Sequence, residues 1–252
     1  MSRGESVHFL GCRFNIGSIE EALQNIFAET NECFKYVVTP NVHHVVRLLE
    51  DSTTMQPLYE RAWRVFCDSR VLSRLGWFNG LRLPVITGSD LTALLILRAA
   101  EQRLKVALIG PTAAACAALR TRYPGLDVEF HTPPMGFINS EHEVQKCIDF
   151  VIKAQAPLVF LALGMPQQEI LAGRIADRRE ARGVGLCIGA SIDFLTGTQR
   201  RAPLWVQKAG FEWLHRLLSD PRRLGRRYLV ECPRIFYLIW LQGTKRQLPA
   251  VR

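Results

Sequence analysis

Short apolar runs that stop at Gly, Pro or a polar residue alternate along this chain with segments whose apolar positions recur every three to four residues. Runs of the first kind at 36–39, 64–67, 106–109, 127–131, 158–163 and 185–188 read as strands. Segments of the second kind near 18–29, 41–50, 55–61, 89–102, 112–122, 141–154 and 167–179 read as helices. This alternation is the order of an α/β fold, a mostly parallel sheet with helices on both faces. The clearest unit is Lys105-Val-Ala-Leu-Ile-Gly110, an Ala-rich helix, the Tyr123-Pro-Gly125 turn and the strand at 127. A glycine turn into a helix presents free backbone N–H groups that can hold a phosphate, which makes Gly110 a candidate ligand position even without a GxGxxG around it. The strand end Leu161-Ala-Leu-Gly164-Met-Pro-Gln-Gln168-Glu169 repeats the pattern, and two such ends on one sheet edge predict a crevice.

Beyond residue 200 the pattern changes. Pro203 suits a first helical turn, and Leu204, Trp205, Phe211, Trp213, Leu214, Leu217 and Leu218 predict a broad apolar helix ending at Asp220-Pro221. Arg222, Arg223, Arg226 and Arg227 then recur at helical spacing, where mutual repulsion calls for an anion. The apolar and aromatic run 235–241 follows, too short to span a bilayer but suited to its interface. Charge sharpens this division. The 252 residues carry a net charge of +9, and the segment 200–252 has twelve Lys or Arg against three acids, so residues 1–199 are neutral. We therefore expect a catalytic domain over 1–199 and a basic C-terminal appendage over 200–252 that meets phosphate, nucleic acid or an anionic membrane.

Composition excludes other classes. The chain is 48% hydrophobic and 22% charged, unlike a disordered protein. The N-terminal MSRGESVHFLGCRFN lacks the apolar core of a signal peptide, and no stretch reaches the roughly 18 to 20 apolar residues of a spanning helix. A cytoplasmic protein, peripheral at the inner face of the membrane, is the expectation. Seven scattered cysteines without a CxxC pair suggest neither disulfides nor a zinc site.

Candidate chemistry gathers after the strands. Thr39-Pro40-Asn41 precedes a helix and suits a cap. Asp68 also follows a strand; it can cap the next helix or, at the mouth of the sheet, take a proton from an attacking hydroxyl. In Thr87-Gly-Ser89-Asp90, Ser89 or Asp90 reads as the cap, and capping is the better reading of Ser89; Asp193 is expected in a loop where it braces the chain or accepts from ligand hydroxyls. The adjacent His43 and His44 point different ways on a helix and receive no chemistry. HExxH, Walker, GxSxG and DxD patterns are missing, so no metal or cofactor is expected, and a departing diphosphate would be neutralised by cations and backbone amides.

Taken together, the motifs resemble the WecG/TagA/CpsF glycosyltransferases (glycosyltransferase family 26). The resemblance runs through Thr39-Pro-Asn41, Asp68, Thr87-Gly-Ser-Asp-Leu91, Tyr123-Pro-Gly-Leu126, Gly136-Phe137, Gly164-Met-Pro-Gln-Gln-Glu169, Gly189-Ala-Ser-Ile-Asp-Phe194, Arg201-Ala-Pro203, Glu212-Trp-Leu-His-Arg216, Asp220-Pro-Arg-Arg223 and Arg226-Arg-Tyr228. It implies a Rossmann-like, metal-independent, inverting transferase that moves a sugar from a UDP-sugar donor to a polyprenyl-diphosphate-linked sugar acceptor. By the same resemblance Asp68 is the general base, with Thr39 and Asn41 in its pocket. Gly136, Phe137, Gly164, Gln168 and Asp193 join Gly110 as donor-binding positions, and Arg216, Arg222, Arg223, Arg226 and Arg227 belong to an appendage that closes the site and touches membrane. The sequence departs from the pattern at Ser69, where Asp-Gly is usual, at Val85, where arginine is usual, and at Phe137, where tyrosine is usual. These departures put N-acetylmannosamine-type donors beside glucose, as in the GumM-like exopolysaccharide branch. A nucleotide- or nucleic-acid-binding module without catalysis is the alternative, disfavoured by the apolar 235–241 run and the lack of a nucleic-acid motif. A nicotinamide-dependent oxidoreductase is weaker still, given the lone Gly110. The apolar tail leaves self-association open.

Overall fold

The computed structural model describes residues 5–246, with side chains through Leu241. Of the expected basic tail, residues 247–252, Arg252 among them, lie outside the described residues.

The chain opens with strands β1 (Ser6–Phe9) and β2 (Cys12–Asn15), then α1 (Ile19–Ala28), β3 (Lys35–Val38), α2 (Val42–Glu50) and α3 (Ser52–Arg61). Next come β4 (Arg64–Val65), α4 (Arg70–Phe78), α5 (Gly88–Glu101), β5 (Lys105–Ile109), α6 (Ala113–Arg122) and β6 (Asp127–His131). A 3₁₀ turn at Phe137–Asn139 leads to α7 (Glu141–Ala154), β7 (Leu158–Leu161), α8 (Gln167–Ala176), β8 (Val184–Cys187) and α9 (Ser191–Thr196). The C-terminal part holds α10 (Leu204–Ala209), α11 (Glu212–Ser219), α12 (Pro221–Arg226), a π-turn at Arg227–Glu231 and α13 (Arg234–Arg246).

Six strands form one parallel sheet in the order β4-β3-β8-β7-β5-β6. Because side chains alternate along a strand, each central strand feeds two cores. Ala107, Ile109, Val159 and Leu161 pack on one face with α2, α3, α7 and α8, whereas Val106, Leu108, Leu158 and Phe160 pack on the other with α1, α5 and α6. The α/β expectation holds, and all six strands expected from sequence are present within two residues of the expected bounds.

Three elements escaped the periodic pattern. β1 and β2 form an antiparallel hairpin about Leu10-Gly11, both at positive φ (+50° and +76°), a two-residue turn written without the usual Asn-Gly. Asn15 docks the hairpin, its Oδ1 accepting from the Val65 amide at 2.9 Å. α4 lies outside the periodic segments, foreshadowed only by the reading of Asp68 as the cap of a following helix, and Asp193, expected in a loop, lies in the short helix α9. The single apolar helix expected after Pro203 is two, because Gly210 takes φ +84° and ends α10 before α11 begins.

Parallel pairing sends every strand's C-terminal end to one edge. The helices that follow β5 and β7 leave to opposite faces, the kind of switch point where parallel sheets form a crevice, and Gly110 and the segment 162–164 stand on its two sides. Gly110 has φ +107°, and a Cβ there would stand 2.5 Å from the Ala162 carbonyl oxygen. Gly110→Ala should therefore cost about 2–4 kcal/mol of stability, through backbone strain and the displaced strand end. Urea unfolding followed by circular dichroism checks this, and an unchanged midpoint would contradict it.

Candidate active site

The loops after β3 and β4 and the start of α5 meet under the C-terminal helices. Between them lies a cavity of about 330 Å³ lined by Asn41, His43, Asp68, Ser69, Arg70, Val85, Ser89, Asp90, Glu212, Trp213, Arg216 and Tyr228, among others. Each polar residue reaches this place for a local reason. Asn41 is the N-cap of α2: its Oδ1 accepts from the amides of His43 at 3.1 Å and His44 at 3.4 Å. It also faces the cavity, so cap and lining residue are the same side chain.

Asp68 is not a cap. Ser69 takes that role, its Oγ accepting from the Leu72 amide at 3.2 Å, which releases the Asp68 carboxylate from capping. The side chain that departs from the Asp-Gly pattern thus starts α4. Ser89, read from sequence as a cap, is none either: Thr87 caps α5, with Oγ1 accepting from Asp90 N at 3.1 Å, and Ser89 faces the cavity. Gly88 lets the floor close. A Cβ there would stand 2.7 Å from Thr39 Oγ1 and 3.7 Å from Asp68 Oδ2, and the Gly88 amide donates to the Asp68 carboxylate.

Electrostatics single out Asp68. Burial, reinforced by the Glu212 carboxylate, pushes its pKa up to about 8, against the Gly88 hydrogen bond and the guanidinium groups of Arg216 and Arg201. Arg201 ties the walls together. It donates to Asp90 Oδ1 at 2.5 Å and Thr87 Oγ1 at 3.3 Å and stands 3.9 Å from Glu212, joining the start of α5 to the start of α11.

The five appendage arginines separate into different environments. Arg223 pairs with Asp220 at 2.5 Å and Arg226 with Glu231 at 3.2 Å, both at the exposed surface, and Arg222 is exposed. Arg216 lines the cavity with its guanidinium 5.5 Å from the Phe194 ring of α9, which carries Asp193. Arg227 is half-buried against the Tyr228 ring at 5.6 Å, and its Nε has no hydrogen-bond partner. Burial lowers the pKa of Arg227, with Arg216 nearby adding to the effect. Among the described residues neither Arg216 nor Arg227 has a carboxylate within 4.0 Å.

The expected donor positions lie along the same sheet edge but outside this cavity. Gly110 and Gly164 flank the crevice, Gly136 is exposed with φ +76°, and Asp193 is half-buried with its pKa raised by burial. Two of them face inward. The Phe137 ring is 3% exposed and packs in the core, so any ligand there would meet backbone. Gln168 is equally buried, and its amide is engaged internally, Oε1 accepting from Gly189 N at 3.0 Å and Nε2 donating to Glu169 at 2.9 Å. It braces the ends of β7 and β8.

Two histidines left without chemistry by the sequence belong to the site. His43 lines the cavity and meets Glu231 at 2.8 Å, tying the π-turn to α2. His44 Nδ1 lies 2.8 Å from Asn41 Oδ1 and its Nε2 3.9 Å from Glu169, and burial with the charges of Arg227, His43 and Arg216 holds it well below its ordinary pKa, hence neutral. The signal was the run Asn41-Val-His-His44, which puts both histidines in the first turn after an Asn cap. Among the described residues no three His, Cys, Asp or Glu side chains gather to hold a metal.

A family model for the WecG/TagA/CpsF glycosyl transferases matches residues 7–249, nearly the whole chain. The chain belongs to this family. It is therefore a glycosyltransferase of cell-surface polysaccharide synthesis, a class that works with a nucleotide-sugar donor and a lipid-linked acceptor. Membership decides against the non-catalytic and oxidoreductase readings. Among the described residues of this transferase no helix is long and apolar enough to cross a membrane.

Beneath the site Glu169 is 1% exposed, with burial raising its pKa to about 7 and Oε2 lacking a hydrogen-bond partner. The native state thus holds a proton that the unfolded chain, with an ordinary carboxyl, releases near 4.5. This contribution to stability is complete below about pH 4.5 and lost once pH passes about 7, a difference of about 3 kcal/mol. Glu169→Gln retains the acceptor for Gln168 and should flatten that part of the stability–pH curve. Chemical denaturation of both proteins across this window checks it, and parallel curves would contradict the assignment.

Proposed function

We propose that this transferase moves a hexose, with inversion, from a UDP-sugar to the sugar of a polyprenyl-diphosphate acceptor, using Asp68 as general base. The observation that carries the reading is a carboxylate with a raised pKa that caps no helix, on the floor of a cavity lined by Arg216, with Arg227 against the Tyr228 ring of that lining and its Nε without a hydrogen-bond partner. Asp68 takes the proton of the acceptor hydroxyl while that oxygen attacks the anomeric carbon. The bond from that carbon to the diphosphate breaks on the opposite side, and UDP leaves with the bonding electrons. Arg216 and Arg227 neutralise it, which supports chemistry without a metal, so a chelator should leave turnover unchanged. Thr39 beside Asp68 and Asn41, the cap of α2, hold the acceptor. Gly110, Gly164 and Asp193, on the strand ends nearest α9, hold the nucleotide, with Gln168 bracing that wall.

Residues 1–199 then form the catalytic domain and 200–252 the appendage that closes over it, with exposed Arg222, Arg223 and Arg226 toward anionic lipid at the inner face of the membrane. The donor hexose is N-acetylmannosamine-type or glucose. Val85, uncharged where the family commonly has arginine, supports the glucose-using GumM-like branch.

Asp68→Asn should lower kcat by about 10²–10⁴-fold in transfer assays with a panel of UDP-sugars and a synthetic lipid-diphosphate sugar. In the wild-type enzyme kcat/KM should climb with pH and level off above about 8, because the base works only when deprotonated. Full turnover by the Asn variant, or a profile flat from pH 6 to 9, would remove Asp68 from this role. Arg216→Ala and Arg227→Ala should each weaken UDP binding about tenfold, measured by calorimetry; unchanged affinity would place the diphosphate elsewhere.

A further inference from the structure

A second, open groove of about 400 Å³ lies on the outer side of α4, and residues there include Arg70, Ser73, Trp77, Leu81, Arg82 and Val85. Arg70 and Val85 also line the central cavity, so the two spaces adjoin at these residues. Val85 gives the junction an apolar wall, and the backbone bridge between Val85 and Cys67 fixes it next to the strand end that carries Asp68. The groove combines two chemistries. Arg70 and Arg82 are exposed cations, and Leu81 and Trp77 offer apolar surface.

α4 leaves its C-terminal aromatics in solvent. Trp77 is 71% and Phe78 76% exposed, their rings meeting edge to face at 5.0 Å. Exposing two adjacent large rings is unfavourable unless something apolar covers them. The patch does not end on α4. Arg74 Nη2 donates to the Ala209 carbonyl at 3.1 Å, which fixes α4 to the end of α10, whose Leu204 and Trp205 are also exposed. Exposed apolar side chains thus stand on both α4 and α10, two helices joined by this hydrogen bond, beside a cationic groove that adjoins the reaction cavity.

We propose that this groove holds the diphosphate and first isoprene units of the acceptor lipid, with Arg70 and Arg82 on the phosphates and Trp77 and Leu81 on the chain. The inference deepens the functional reading above and rests on it for the identity of the lipid. Adjacency and charge select the occupant. A molecule with a sugar at Asp68 that extends past Arg70 and Val85 enters this groove, and one that is anionic near the junction and apolar beyond it matches the lining in that order. The membrane-facing surface accordingly includes α4, and is not confined to residues after 200.

The test uses the full chain and farnesyl diphosphate, with inorganic diphosphate as the headgroup alone. Wild-type protein should bind farnesyl diphosphate about tenfold or more tightly than inorganic diphosphate, because buried chain adds affinity. Trp77→Ala should abolish that gap, and Arg82→Glu should weaken farnesyl diphosphate by about tenfold. Both residues are exposed, so neither change threatens the fold. Equal affinities for the two ligands in the wild type, or an undiminished gap in Trp77→Ala, would overturn the proposal. So would a change of oligomeric state in Trp77→Ala with the gap intact, which would make the patch a contact between copies. Transfer assays separate this result from the functional reading. Chain-dependent binding without UDP-sugar turnover would sink the reaction and keep the groove, whereas turnover with a Trp77-independent gap would do the reverse.

Discussion

A parallel sheet buried on both faces has one place for polar chemistry, its ends. Every side chain of β7 and β8 is buried, and the two neighbouring strands β3 and β5 are nearly so, with only their first lysines partly exposed. A ligand cannot lie against such a surface, and the backbone hydrogen bonds of the central strands are used up in the ladder. What remains is the edge where the strands stop, and parallel pairing makes it one edge for all six. Asn41 after β3, Asp68 after β4, Gly110 after β5, Gly164 after β7 and Asp193 after β8 stand together there although they span more than half the chain.

The second determinant is the roof. Loops at a sheet edge are wet, and a carboxylate among them would keep an ordinary pKa. Asp68 does not, because α11 and the π-turn after α12 bring Glu212, Trp213, Arg216 and Tyr228 over it. The roof is anchored by hydrogen bonds at distinct points, Arg201 to Asp90 and His43 to Glu231. Arg201 and Asp90 are opposite charges drawn from segments far apart in sequence, so this contact also neutralises the charges it brings to the cavity, whereas burial lowers the pKa of His43, which holds Glu231 by a hydrogen bond.

The sheet was legible because its strands are short apolar runs bounded by Gly or Pro, a signal that survives without tertiary information. The hairpin was not, since Leu10 takes the left-handed conformation that turn statistics assign to Asn or Gly. Local sequence also misassigned the caps. Ser69 and Thr87 compete with Asp68, Ser89 and Asp90 as cap residues of nearly equal propensity, and which one caps depends on where the strand before it stops. Asp68 was identified through family resemblance; the cap geometry supplies the physical reason its carboxylate is released from capping. His43 and His44 were passed over because the sequence was searched for a metal pair, whereas their partners are an α2 cap and two glutamates 188 and 125 residues away. The charge of the tail was visible, but not its division into cations already paired at the surface and cations left unpaired inside.

That division bears on how a base with a raised pKa works near neutrality under the proposed reaction. Arg216 is among the groups that stabilise the Asp68 carboxylate in the empty site, opposing burial and Glu212. A nucleotide diphosphate bound to Arg216 and Arg227 brings negative charge that consumes this support. The proton affinity of Asp68 then rises when the donor is in place, because a like charge brought near a buried carboxylate disfavours its charged form. A carboxylate that is more basic in the donor complex than in the free enzyme takes a hydroxyl proton more readily, provided it was deprotonated when the donor bound. The order of events follows from the charges alone: donor first, which sharpens the base, then acceptor hydroxyl. The protein therefore needs no second base, only a roof that shares one arginine between the leaving group and the carboxylate.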